Sequence, residues 1–457
     1  MRRTPFALSA FLLVAATGCG LPTRNDGDAF IFERPGVLPV LEGFEEVRAV
    51  NGFPNEDFQR SFDEAIEKLK QREFPEGQRR DFDMLVLSSG GVNGSFGAGV
   101  LQGWTCYKER PEFEIVTGVS VGALLSPFAF AGPKYDDRLE TLFRRLNPED
   151  LHESKGALSA AIWDESLLDN SPLRALIRSG VDAELMNDVA DGHEAGRRLY
   201  VGSTNLDLGC FVVWDMGAIA TRRSPEALEL FRSVLTASAS IPVAYPPVRF
   251  GNDKDDERDE LHVDGAVIRP LFLPEGIFDG YASAQKAGVS WDDIDASLYV
   301  ISNGALRSLP AAVSRDTFDI AMRTIMMMSY TLISEDVLHL YLLSRVWGAE
   351  FNFIRMRDGT EVSVADFDAE ETERLFLEGR GLMEAESPWD SEPPGYVVGG
   401  SLARIQPLKE EEVFDERAGE SGAAAAVDGA ALEARLDRME AMLQRILSER
   451  GGDPGPR

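Results

Sequence analysis

Ser120 stands where a nucleophile would be built. It sits in Gly118-Val119-Ser120-Val121-Gly122, after the apolar β-type run Phe113–Thr117 and before a small and apolar stretch that continues through Phe130. A serine at a sharp strand-to-helix turn has its hydroxyl lifted above the sheet edge, where it can attack an acyl carbon. Gly118 and Gly122 suit such a turn because a side chain at either would collide with the turn or the neighbouring strand. The helix that follows would aim its free N–H groups and its dipole at charge developing on the serine. Upstream, Met84–Ser88 reads as a strand that runs into Ser89-Gly90-Gly91-Val92-Asn93-Gly94 and then a small-residue helix to about Tyr107. A glycine loop at a strand-to-helix turn supplies backbone N–H donors of the kind acyl transfer needs for its oxyanion. In a chain with 42 glycines the five-residue pattern alone is weak. Its weight comes from the strand before, the helix after, the glycine loop and the lack of a second match. The competing reading is two tight βα turns in a parallel sheet.

A serine hydroxyl needs a base within hydrogen-bond reach. The four histidines are His152, His193, His262 and His339, and none lies in a context that marks an active-site loop. His339 falls in an apolar run of helical spacing, Val337–Leu343, which favours a packed or surface histidine. Asp264 ends the apolar part of the short strand-like run Leu261–Ala266 and precedes Gly265, so it would stand at the rim of the sheet. A turn aspartate before glycine is an equally good account of it.

The elements around these residues alternate strands and helices. Glu56–Gln71 has apolar residues at Phe58, Phe62, Ile66 and Leu69, the spacing of an amphipathic helix on a sheet's flank. Tyr135–Leu146 reads as a helix, and Ser166–Met186 as helical pieces broken at Ser171-Pro172 and Gly180. Arg198–Asn205 and Cys210–Asp215 read as strands joined by a turn. Ser224 caps a helix with Pro225 in its first turn, running to Ala237 and a small-residue, proline-containing bend through Pro247. Asn252–Glu260 is a charge cluster at a hairpin tip. Ser297–Asn303 and Glu350–Arg357 are further strands, and Ala369–Ala385 an acidic helix. Arg315–Trp347 is a long helical pattern in which Arg323, Glu335, Asp336 and Arg345 exclude a transmembrane span. Its Met326-Met327-Met328 run would suit an acyl groove, but the simpler expectation is a core helix.

Composition gives 44% apolar residues, enough for one large α/β domain, and a formal net charge of −31. So acidic a chain is not expected to bind nucleic acid, or anionic lipid through a broad field. Two of the three cysteines, Cys106 and Cys210, are scattered and form neither a disulfide framework nor a metal site; buried free thiols are expected.

The glycine loop, the G-x-S-x-G, the TASASIP bend with its prolines and Asp264-Gly265-Ala266 together resemble the bacterial patatin-like phospholipases over roughly residues 81–275. The resemblance implies a three-layer α/β fold with a mostly parallel sheet flanked by helices. It implies a Ser–Asp dyad of Ser120 and Asp264 in place of a triad, with Gly90 and Gly91 as the oxyanion glycines and Gly94, Gly118, Gly122 and Gly265 as supporting motif positions. The implied activity is lipid acyl hydrolysis (phospholipase A, lysophospholipase or esterase) through an acyl-enzyme, with no metal or cofactor required. Ser89 stands where the family's loop has its first glycine, and Asn93 where it has a basic residue. Loss of that cation leaves a neutral ester or lysolipid open beside a diacyl phospholipid.

Residues 1–18, with Arg2, Arg3 and an apolar run from Pro5 to Ala16, read as a secretory signal too short to span a bilayer. Ala16-Thr17-Gly18-Cys19 resembles a bacterial lipobox, which implies diacylation of Cys19, and Gly20 after it implies outer- rather than inner-membrane placement in the cell envelope. The expected order is a tether over 19–50, a hydrolase domain over 51–415, an Ala/Gly-rich linker over 416–431, an amphipathic helix over 432–449 and a disordered tail over 450–457. Leu432, Leu436, Met439, Leu443 and Ile446 follow a 4-3-4-3 spacing, the seam of a short coiled coil through which copies could pair. Other readings are a phosphate-cradling module, which fails at Ser89 and lacks a P-loop lysine; a catalytically idle envelope lipoprotein; and a histidine-dependent hydrolase using His339.

Overall fold

The computed structural model describes residues 36, 38–72, 79–151, 153–154, 168–251, 259–290, 293–307, 310, 312–315, 317–357, 359 and 367–394. The signal, most of the tether, the hairpin tip, the linker and the 432–449 helix lie outside the described residues.

Two runs of alternating element types generate the architecture. The strands are β1 (Arg48–Val50), β2 (Arg80–Leu87), β3 (Ile115–Val119), a small antiparallel pair β4 (Glu153–Ser154) and β5 (Leu168–Asp169), β6 (Arg198–Asn205), β7 (Cys210–Asp215), β8 (Val248–Phe250), β9 (Glu260–Asp264), β10 (Ile294–Ser302) and β11 (Glu350–Arg355). The main sheet has nine strands in the order β1-β7-β6-β3-β2-β10-β11, with β9 on β6 and β8 on β9. From β6 to β11 neighbouring strands are parallel, while β1, β7, β8 and β9 add antiparallel pairings. The central strands are buried on both faces, as in a sheet covered on both sides: all five residues of β3 and all eight of β6 are buried.

Helices α1 (Glu56–Gln71), α2 (Gly94–Tyr107), α3 (Val121–Ala131), α4 (Asp136–Phe143), α5 (Pro148–Leu151), α6 (Ser171–Gly180), α7 (Ala183–Glu194), α8 (Met216–Ala220), α9 (Pro225–Ser238), α10 (Gly280–Ala287), α11 (Thr317–Trp347) and α12 (Ala369–Leu382) complete three layers. One core, containing Phe96, Leu125, Phe231 and Phe376, joins α2, α3, α9 and α12 to one face. The other, containing Phe58, Phe272, Leu298 and Val337, joins α1 and α11 to the opposite face. The small residues of α2 let α12 lie almost in contact: a Cβ at Gly99 would run into the Phe376 carbonyl, and one at Gly379 into that of Phe96.

Local signals explain most boundaries. The Asn55 side chain caps α1 by accepting from the amides of Asp57 and Phe58, and Ser224 caps α9 with Pro225 in the first turn. Two expectations fail. Cys106 is exposed, because its place near the end of α2 faces solvent; Cys210 is half-buried, and burial pushes its thiol up to about 11. The first half of α11 is not a core helix, since no described residue between Thr317 and Leu332 is buried.

Candidate active site

β3 delivers Ser120 to the start of α3 with φ 56° and ψ −124°. A non-glycine residue in that region costs on the order of 1–3 kcal/mol and persists only where its surroundings hold it. They do so here. The Ser120 amide donates to Ser238 Oγ at 3.0 Å, and Ser238 Oγ donates to the Gly202 carbonyl at 2.6 Å, tying the turn to β6 and the end of α9. Gly122 brings α3 down onto the end of β2, where a Cβ would collide with the carbonyls of Leu87 and Ser88. Pro127 interrupts the α3 ladder, and Ser126 Oγ donates to the Ala123 carbonyl that the proline leaves free, at 2.9 Å.

Asp264 reaches the serine through a handover between strands. β3 pairs with β6 as far as Val119 opposite Gly202, and β9 takes over the next position, with Asp264 opposite Ser203. Asp264 therefore follows Val119 along the edge of β6, just where the chain turns at Ser120. This register sets the Ser120 hydroxyl beside the Asp264 carboxyl, near enough to favour its ionised form. Asp264 Oδ1 accepts from the Ala266 amide at 2.8 Å, and the Asp264 amide donates to the Ser240 carbonyl at 2.9 Å. Burial pushes the Asp264 carboxyl up to about 7, against the opposing pull of the Ser120 hydroxyl and the Ala266 amide. Gly265 abuts the Gly202 carbonyl and Val119.

The glycine loop is fastened from three sides. Ser88 N–H donates to Ile301 and Ser89 N–H to Pro270, at 3.1 and 3.0 Å. Gly91, at φ 57°, opens a short 3₁₀ turn over Gly91–Asn93. No hydrogen bond among the described residues engages the amides of Gly90 or Gly91. Gly94 lies against Val121, so the loop and the first turn of α3 adjoin, and Gly118 packs on the Gly122 carbonyl.

Residues 85–276 match the family model for the patatin-like phospholipases. This stretch is a patatin-like phospholipase domain. Among solved structures, VipD from Legionella pneumophila aligns at 11% identity over 66% of this chain and 66% of its own, with a TM-score of 0.33. Human GIVD cytosolic phospholipase A2, solved with methyl gamma-linolenyl fluorophosphonate, aligns at 12% identity over 66% of this chain and 48% of its own, with a TM-score of 0.23. Both matches stop short of two thirds of the neighbour's length. No curated protein matches the chain.

Within the patatin-like domain, Asn93, standing where the loop motif has a cation, is buried and turned inward. Its Nδ2 donates to the Gly90 carbonyl at 3.1 Å, so it braces the loop from within. Just beyond the domain lies a residue that motif reasoning passed over. Asn303, fully buried at the end of β10, donates from its amide to Ser88 Oγ at 2.7 Å and from Nδ2 to the Ser88 carbonyl at 2.9 Å. Its backbone closes on Gly90 so tightly that no side chain fits there. The only sequence signal was its position after an apolar strand.

None of the described histidines pairs with Ser120 or Asp264. His193 faces Asp215 at 3.5 Å, His262 lies 2.9 Å from Ser203 Oγ, and His339 Nε2 lies 2.7 Å from Glu275. His152 and Cys19 lie outside the described residues.

Proposed function

We propose that the domain is a serine lipid acyl hydrolase working through Ser120 and Asp264. One observation carries the reading: a serine held on a strained turn stands beside a buried carboxylate whose affinity for a proton has been raised to about 7. A carboxylate of ordinary acidity is too weak a base to take a serine proton effectively near neutrality, and burial corrects that. Asp264 takes the Ser120 proton as Oγ attacks the ester carbonyl. The amides of Gly90 and Gly91 receive the oxyanion, and the proton passes to the departing alcohol. Asp264 then removes a proton from water, which attacks the acyl-enzyme and frees the carboxylic acid. Cys19 as the acylated residue would keep this chemistry at the cell envelope, a reading supported by the Ala16-Thr17-Gly18-Cys19 sequence.

A second reading, an idle envelope lipoprotein, has one observation behind it: Ser120 is only 4% exposed. Labelling with a fluorophosphonate separates the two. Wild-type protein should label, Ser120→Ala should not, and Asp264→Asn should label at least about a hundredfold more slowly. Folded wild-type protein that takes up no label would leave the idle reading standing.

A further inference from the structure

The two halves of α11 meet different surroundings. From Ile333 onward the helix is packed: Ile333, Val337 and Leu340 are buried, and Asp336 accepts from the Leu271 amide at 3.3 Å. Ile333 lies on Gly304, whose other neighbour is the Ser89 carbonyl. This half of the helix therefore abuts the loop that carries Gly90. The preceding half extends the same helix N-terminally from that contact. Its exposed positions before Glu335 are Thr317, Ile320, Thr324, Met327, Met328, Thr331 and Ser334, and none of them bears a charge. Ile320, Met327 and Met328 are 50%, 48% and 56% exposed. The two threonines on the face add to its apolar character: Thr324 Oγ1 donates to the Ile320 carbonyl at 2.8 Å and Thr331 Oγ1 to that of Met327 at 3.1 Å. Their hydroxyls are occupied inside the helix, so they need no water partner.

In a chain with 27% charged residues and a net charge of −31, a stretch of about five turns whose fully exposed positions carry no charge, and whose charges are limited to the half-buried Asp319 and Arg323, is out of keeping with the rest of the surface. No helix among the described residues is long and apolar enough to cross a membrane. A helix that does not span but exposes an uncharged, methionine-rich face is suited to lie in a lipid interface. We propose that the Thr317–Ser334 face seats on a lipid surface whose headgroups carry no net charge, presenting that lipid to the adjoining Gly90 loop and Ser120. An anionic surface is disfavoured because the chain's own charge would repel it. The link to Ser120 rests on the hydrolase reading; the seating on lipid does not.

The test is flotation of the full-length chain on phosphatidylcholine vesicles, with Cys19→Ser throughout so that no acyl anchor contributes. The Met327→Asp plus Met328→Asp variant should lower the vesicle-bound fraction about tenfold. Ile320→Asp, on the same face, should lower it severalfold. Circular dichroism should be unaltered in both, as should hydrolysis of a water-soluble short-chain ester. Ser120→Ala should float like the parent, so loss of catalysis and loss of docking are read separately. If no variant hydrolyses the soluble ester but the flotation difference persists, the hydrolase reading fails and the docking face stands. Flotation unaffected by either acidic substitution would overturn the proposal. So would a dimer that fails to float and that Met327→Asp plus Met328→Asp splits, which would assign the face to a second copy. Flotation only after removal of residues 432–449 would assign it to that segment, with the same consequence.

Discussion

At the scale of single residues the site turns on the proton affinity of Asp264. Only its ionised form can accept the Ser120 proton, so the rate constant kcat/KM should fall about tenfold per pH unit below about 7 and level off above it. A stability effect of opposite sense accompanies this. Between the ordinary carboxylate value of 3.8 and about 7 the folded chain holds a proton that the unfolded chain has released. Stability contributed at this position therefore falls as pH rises through that window, and the whole loss is present above it. Asp264→Asn cannot ionise and escapes the loss. The variant should melt at a higher temperature than wild type at pH 8 and at nearly the same temperature near pH 4, while being far less active. Equal melting curves at both pH values would mean that the carboxyl is not raised. The pairing of the two residues was open on the residues alone, because a turn aspartate before glycine accounts for Asp264 equally well.

At the scale of elements, the loop with Gly90 and Gly91 depends on a partner that its own sequence does not contain. The Nδ2 of Asn303 bonds the Ser88 carbonyl, and the Asn303 backbone presses on Gly90. Asn303→Ala removes the side-chain bond and keeps the backbone one. It should lower kcat about tenfold with KM within about twofold, since a loosened loop loses transition-state contacts before it loses substrate binding. The midpoint of the pH profile should stay where it is, because Asp264 is untouched; a midpoint that moves would mean that Asn303 acts through the base. Local sequence carried many element boundaries well. Glu56–Gln71, Arg198–Asn205 and Cys210–Asp215 have the limits that periodicity and capping indicate. The methionine run of α11 did not yield to the same reasoning. An apolar stretch at helical spacing shows that a face is greasy, but not whether protein or something else covers it.

At the scale of the whole molecule, what sequence reading lacked was relative placement: β9 succeeding β3 along the edge of β6, and β10 bringing Asn303 behind the glycine loop. Both are contacts between distant segments, and neither leaves a local signature. Charge is the one global property the sequence carries without any structure, and it has a consequence for lipid choice. A net charge of −31 opposes approach to an anionic bilayer at low ionic strength, where the screening length is about 30 Å, and much less at about 150 mM salt, where it is about 8 Å. The uncharged face of α11 should feel neither condition strongly when the bilayer is zwitterionic. Initial hydrolysis rates on phosphatidylglycerol-containing vesicles should therefore rise severalfold as salt is increased from about 10 to about 150 mM. Rates on phosphatidylcholine vesicles should change by less than about twofold over the same range. A rate on the anionic vesicles that falls with salt would mean that a basic surface, rather than the α11 face, brings the chain to lipid.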